Sequence, residues 1–328
     1  MTKVNIERIL YPTDFSPFSV QALRHALAFA KLFQARLKVV HVIPEVFLRG
    51  ESVYASASWL LTPEIRQNVE EEMRRFLQPA RDARIDHETE IRSGDPWKEV
   101  LLSAEEMPAD LVVLGTHGHG GLDRFVLGSV AEKLIRRLPC PVMSVSQEEG
   151  RTWAAPGLIS RILCAFDFSD TSNQSLDLAI AIASRNGAEV TLLHVIELFP
   201  DVKAITYGAS ASDDPSHRDL ERHAVSRLQK VIAEADIKGV RIEPRAVVGR
   251  AYKEILRIAA SETFDLIMIG AQGHGAIEHF LFGSNAQHIV RAATCPVLTV
   301  RAPKHDRPLR DAHGGGLQLA AAETASAT

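Results

Sequence analysis

The chain is written twice. Ile9-Leu10 and Asp14-Phe15-Ser16 return as Ile162-Leu163 and Asp167-Phe168-Ser169, and His41-Val42-Ile43 returns as His194-Val195-Ile196, each 153 positions later. Lys98-Glu99, Gly115, Gly128-Ser129 and Cys140-Pro141-Val142 return 155 positions later as Lys253-Glu254, Gly270, Gly283-Ser284 and Cys295-Pro296-Val297. Solenoid repeats have periods of roughly 20–50 residues. The much longer period here means two whole domains of one fold, which agrees with a length of 328 residues against a usual domain of roughly 100–150.

The first copy spans 1–146 and the second 159–302. Between them, 147–158 is polar and carries Gly and Pro, the composition of a linker. The stretch 303–328 has three consecutive glycines and no spaced large apolar residues, so it is expected to be a disordered tail.

Within each copy, strand and helix signals alternate. Ile9 to Tyr11 is a short apolar run. Ser16-Pro17 then supplies an N-cap with proline at the first helical position, and Val20, Leu23, Leu27 and Ala30 follow at helical spacing. Leu37 to Ile43 reads as the second strand and 63–84 as one long helix, with a third strand over His87 to Ile91. Asp95-Pro96 opens the next helix. Leu111-Val112-Val113-Leu114 is an unbroken apolar run, the signature of a parallel strand covered on both faces. A glycine-rich loop, a helix from Ser129 and a last strand, Val142 to Val145, complete the unit, and the second copy repeats it from Ile162 to Val300. The fold class is therefore α/β, with two doubly wound parallel-sheet domains in tandem. Such sheets bind ligands beyond the carboxyl ends of their strands at the topological switch point. That rule selects Asp14, Val42, Gly94 and Gly115.

Composition narrows the function. Lys and Arg number 37 against 41 Asp and Glu, a net charge of −4, without the basic excess that a phosphate backbone requires, so nucleic acid is not the expected partner. No stretch approaches the roughly 20 apolar residues of a membrane span, and the amino-terminal residues lack a secretory apolar run, so a cytoplasmic protein is expected. Cys140, Cys164 and Cys295 stand in no C-x-x-C spacing and read as small buried hydrophobes.

The most informative stretch is Gly115-Thr116-His117-Gly118, nine residues, then Gly128-Ser129; the second copy has Gly270-Ala271-Gln272-Gly273, nine residues, then Gly283-Ser284. Glycine lets backbone N–H groups approach an anion with no Cβ in the way. A helix opening at Gly128 aims unpaired N–H groups and a positive dipole end at the same place, which suits phosphate. Ser129 and Ser284 add hydroxyl donors. Neither copy has the G-x4-G-K-[ST] or G-x-G-x-x-G spacing, nor a G-x-S-x-G nucleophile elbow. The alternative reading of these glycines is packing alone, and of Asp14 a capping acid before the helix. His41 and His194 read as hydrogen-bonded strand-end histidines. His117 and His119 alternate like a metal pair, but Gln272 replaces the first of them in the second copy, so no metal site is assigned. Glu70 to Arg75 reads as a solvated helix face with i,i+4 pairs.

A strand ending in Asp, His-Val-Ile at the end of strand two, G-x2-G-x9-G-S and a closing Cys-Pro-Val strand together resemble the universal stress protein family in its tandem form. The resemblance covers 4–146 and 159–302. It implies a fold similar to the adenine nucleotide alpha hydrolases, a cytoplasmic stress-response module, and ATP with Mg2+ as cofactor. It also implies pairing through the last strands, here within one chain as a pseudo-dimer, with a homodimer of chains as a further expectation. Carried over by position, Asp14 and the main chain of Val42 hold the adenine and ribose end, with Pro12 and Thr13 along that wall. Gly115, Thr116, Gly118, His119, Gly128, Ser129 and Val130 surround the phosphates. The second copy offers Asp167, Val195, Gly270, Gly273, His274, Gly283, Ser284 and Asn285. There Pro12-Thr13 becomes Ala165-Phe166, Thr116 becomes Ala271 and Arg124 becomes His279, so the second site is expected to be the weaker.

Three functions compete on this reading. The first is a binding module that holds ATP and reports its occupancy. The second is a slow ATP hydrolase or nucleotidyl transferase, for which only Asp123, His117 and His119 offer a base. The third is a nucleotide-free interaction protein whose glycine loops serve folding.

Overall fold

The computed structural model describes residues 4–44, 63–116, 127–146, 159–198, 215–237, 239–272 and 282–301. The first copy runs β1 (Arg8–Thr13), α1 (Pro17–Phe33), β2 (Arg36–Pro44), α2 (Pro63–Phe76), α3 (Gln78–Asp82), β3 (His87–Gly94), α4 (Pro96–Glu106), β4 (Leu111–Gly115), α5 (Ser129–Arg137) and β5 (Val142–Val145). The second runs β6 (Arg161–Ala165), α6 (Asp170–Asn186), β7 (Glu189–Ile196), α7 (Pro215–Glu234), β8 (Ile242–Val248), α8 (Ala251–Ser261), β9 (Leu266–Gly270), α9 (Ser284–Ala292) and β10 (Val297–Val300).

Local chemistry places the helix ends. The Ser16 side chain accepts from the Ser19 N–H at the start of α1, and Ser169 accepts from the Ser172 N–H at the start of α6. Gly187, at φ 75°, closes α6 in the left-handed region where glycine has no Cβ penalty. The helix expected over 63–84 is broken instead: α2 stops at Phe76, and α3 restarts with Pro79 in its first turn. Proline lacks an N–H and disfavours helical backbone at the residue before it, so it opens a new helix better than it continues an old one.

Strand order is β3-β2-β1-β4-β5-β10-β9-β6-β7-β8 in one ten-stranded sheet. Every pairing within a copy is parallel. Each copy thus has a switch point, between β1 and β4 and between β6 and β9. Helices cover both faces. Leu111 and Val113 of β4 join the core under α1, while Val112 and Leu114 join the core under α4 and α5, which is why that strand is apolar throughout.

The two copies meet along β5 and β10, which run antiparallel with Val297 opposite Ser144, Leu298 opposite Met143 and Thr299 opposite Val142. Side chains add to the seam: Ser144 Oγ donates to Val297 O at 3.2 Å, Thr299 Oγ1 to Val142 O at 3.1 Å, and Arg301 Nη2 to Ile135 O at 3.0 Å. Pairing satisfies backbone groups that each half would otherwise expose on a sheet edge. All three cysteines are buried and no disulfide joins them; burial pushes the Cys140 and Cys164 thiols up to about 12. No helix among the described residues is long and apolar enough to cross a membrane.

Candidate nucleotide site

Just beyond the last residue of β1 the chain makes a tight turn. Asp14 Oδ1 accepts from the Ser16 N–H at 3.0 Å and from Ser19 Oγ at 2.6 Å. In the second copy, Asp167 Oδ1 accepts from the Ser169 N–H at 3.1 Å and from Ser169 Oγ at 2.5 Å. Both acids therefore build the turn that starts the next helix, so the capping role is present, and both stand where the switch-point rule puts a ligand. Thr13 is buried, its Oγ1 accepting from the Phe15 N–H at 3.1 Å. Pro12 is a half-buried residue within β1.

The turn depends on a residue that the motif reading passed over. Phe15 has φ 62° and Phe168 φ 65°. A bulky side chain in the left-handed region costs roughly 1–3 kcal/mol and persists only where its surroundings hold it. Phe15 stacks on His41 at 4.5 Å between centroids and meets Phe76 edge-on at 5.4 Å. His41 Nδ1 lies 2.9 Å from Thr13 O, and burial holds that imidazole below its ordinary pKa. Phe168 meets His194 edge-on at 4.8 Å, and His194 Nδ1 lies 2.7 Å from Phe166 O. The Arg227 guanidinium sits 3.8 Å over the Phe168 ring. The strand-end histidines are hydrogen-bonded, as their position suggested, and they also clamp the turn. The recurrence of Phe within Asp-Phe-Ser was the available signal.

The opposite wall is a helix N-terminus. Gly128 and Gly283 are the N-caps of α5 and α9, and neither helix receives a side-chain cap. The first N–H groups of a helix have no partner within it. Of the residues after the caps, Ser284 and Asn285 at the start of α9 line a cavity with the positive end of the helix dipole behind them, and Ser129 and Val130 hold the same positions at the start of α5. The cap amides themselves are used: Gly128 N–H donates to Thr116 O at 2.7 Å and Gly283 N–H to Ala271 O at 2.9 Å.

The motif glycines divide by role. A Cβ on Gly270 would stand 2.7 Å from Thr171 Oγ1, and one on Gly115 would stand 3.3 Å from the Phe18 backbone, so these two let a helix approach the sheet. Gly283 differs. Its φ is an ordinary −60°, and a Cβ there would meet only Ala271 O, at 3.4 Å, among the described residues. Among the described residues nothing requires a glycine at 283, which lines a cavity.

That cavity has a volume of about 370 Å³ and belongs to the second copy. Its floor is apolar, from Ala165, Leu193, Val195, Ile255 and Ile269, and its polar rim brings together Asp167, Gly270, Gly283, Ser284 and Asn285. Such a division suits a flat apolar base joined to an anion. Val42, the counterpart of Val195, is buried one residue past the last rung between β1 and β2. Thr116 is 2% exposed and its hydroxyl lies 3.4 Å from Val145 O. Gly118, His119, Gly273 and His274, with Asp123, Arg124, His117 and His279, lie outside the described residues. Among the described residues, no group of three or more His, Cys, Asp or Glu could hold a metal ion.

Residues 5–146 and 159–301 each match the sequence profile of the universal stress protein family. A universal stress protein of Methanocaldococcus jannaschii is 35% identical over 142 residues, 43% of this chain and 82% of the relative. One from Mycolicibacterium smegmatis is 27% identical over 302 residues, 89% of this chain and 96% of that one. A solved universal stress protein from Archaeoglobus fulgidus has the same fold, with a TM-score of 0.66 at 22% identity, covering 90% of this chain and 98% of its own.

Proposed function

The chain belongs to the universal stress protein family in its tandem two-domain form, and on that footing we propose that it binds ATP at the carboxyl edge of each half-sheet as a stress-response module. The observation that carries this reading is Gly283, a glycine that neither its backbone angle nor its described neighbours require, standing where a helix N-terminus meets a cavity. The adenine would lie against Val195, Ile255 and Ile269, with the ribose end toward Asp167. The phosphates would take the amides and hydroxyl of Ser284 and the amide of Asn285, neutralised by the helix dipole without a P-loop lysine. Asp14, the main chain of Val42, Gly128, Ser129 and Val130 are the corresponding groups of the first copy. Mg2+ would arrive with the nucleotide and be held chiefly by phosphate oxygens and water, as this ion prefers, with Asp167 the acid in the cavity wall.

Asp123, His117 and His119, the candidate bases for hydrolysis, lie outside the described residues, and the hydroxyls that the described mouth pairs with a carboxylate, Ser19 on Asp14 and Ser169 on Asp167, are engaged in the turn that starts the next helix. Binding, with its occupancy read by a partner, is the reading that the cavity at Gly283 favours. Calorimetry of the full chain with ATP and Mg2+ tests it. Saturable heat is expected, lost from one half in Gly283→Asp, and no heat at millimolar nucleotide would leave the nucleotide-free interaction protein instead. Turnover above about 1 s⁻¹, near the low end for enzymes, would move the reading to hydrolase.

A further inference from the structure

A second cavity, of about 420 Å³, lies between the outer side of α1 and the α2–α3 pair and shares with the Asp14 turn only the Phe76 ring among its described lining. Its walls are apolar, chiefly Leu23, Leu27, Phe76 and Ile85, and Val20 beside them is 40% exposed, unusual for a valine in a packed helix. Two cations complete the lining, Arg24 and Lys31, both exposed. Val20, Arg24, Leu27 and Lys31 follow one another at intervals of four, three and four residues, so they form one stripe along α1. Arg24 and Lys31 stand two helical turns apart, about 10 Å, close enough for their long side chains to meet one carboxylate between them. Among the described residues neither forms an ion pair and no acid lines the groove.

The second copy lacks this chemistry. At the positions of Val20, Arg24 and Lys31 it has Asn173, Asp177 and Ser184, so the apolar stripe with two cations belongs to the first half alone. A volume within the roughly 300–1,000 Å³ of small-molecule sites, enclosed by three short helical faces, suits a small ligand better than a protein surface, which needs about 800 Å² on each side.

We propose that this groove binds a fatty acid, its alkyl chain along Leu23, Leu27, Phe76 and Ile85 and its carboxylate between Arg24 and Lys31. The apolar walls take the tail out of water, and the paired cations choose an anionic head over a neutral or cationic one.

Titration of the full chain with sodium dodecanoate below its micelle concentration, followed by calorimetry, tests the proposal. One saturable site per chain is expected, unchanged when ATP and Mg2+ are present. The double variant Arg24→Glu, Lys31→Glu should weaken it about tenfold or more, the scale of a lost charge-assisted contact. Both side chains are exposed, so the melting temperature should hold. Leu27→Glu, which puts a charge in the wall, should abolish binding, and dodecyltrimethylammonium should not bind. No saturable heat, displacement by ATP, equal affinity in the double variant, or equal binding of the cationic surfactant would each overturn it.

Discussion

Met143 and Leu298 face each other at the centre of the antiparallel seam, and each occupies the other's position in the repeat. A local twofold relation therefore passes between them, and both are fully buried. The halves are joined through the strands that would otherwise be their open edges. Leu298→Ala should cost about 2–5 kcal/mol, the range for truncating a buried side chain. Urea unfolding of the variant, followed by fluorescence and circular dichroism together, checks this. A loss under 1 kcal/mol would mean that the seam contributes little to the fold.

The division among the motif glycines predicts two different phenotypes. Gly270→Ala forces a Cβ against Thr171 Oγ1 and should lower stability by about 1–3 kcal/mol, the usual cost of overpacking. Gly283→Ala meets only an ordinary contact and should leave the unfolding midpoint unchanged while weakening nucleotide. If both variants unfold alike, the assignment of separate roles fails.

His41 holds the strained Phe15 in place by stacking and by its bond to Thr13 O. His41→Leu should loosen the Asp14 turn, destabilise the first half by about 1–3 kcal/mol through the carbonyl it leaves, and reduce nucleotide binding there. His41→Asn, which can still donate to that carbonyl, should recover part of the stability. No difference between the two variants would show that the ring, and not the bond, sets the turn.

Acid should unfold the protein in two stages. His25 of α1 is buried, and burial, with Arg24 beside it, pushes its pKa from 6.5 down to about 4. The unfolded chain takes up this proton near 6.5 and the folded chain only near 4. The stabilisation is whole above pH 6.5 and drains as pH falls to 4, by about 3 kcal/mol in all. Burial alone would raise Glu90, but bonds from Arg92, Lys38 and Ser103 outweigh it and hold the carboxyl at about 2, so its contribution is lost only below its ordinary 4.5. His25→Gln should flatten the first stage and leave the second. An unchanged slope between pH 6.5 and 4 would assign that stage to other groups.

Much of this architecture is legible in the residues because the repeat exposes it. Ser16-Pro17 marks the start of α1, Gly187 the end of α6, and the apolar run at 111–114 a strand covered on both faces. The break between α2 and α3 is less legible, because Pro79 follows an unbroken amphipathic pattern and only its ring stops the helix. The salt-bridged face is as read, with Arg66 Nε 3.1 Å from Glu70 and Arg75 Nε 3.0 Å from Glu71. In the site, spacing alone located the loops but did not separate the packing glycines at 115 and 270 from the open one at 283. That distinction needs the position of Thr171 and Phe18 on the neighbouring helices. Thr116 was read as a phosphate ligand; its hydroxyl also lies 3.4 Å from Val145 O, a contact that depends on strand register and that spacing does not show.

The account rests on amides at the starts of α5 and α9 holding a triphosphate, and nucleotide titration of three chains tests it most directly. With ATP and Mg2+, calorimetry should find two sites in the natural chain, one in Gly128→Asp, and one in Gly283→Asp, with unfolding unchanged. Undiminished binding in both variants would contradict it, because an aspartate at either cap sets a negative charge where the phosphates are required to sit.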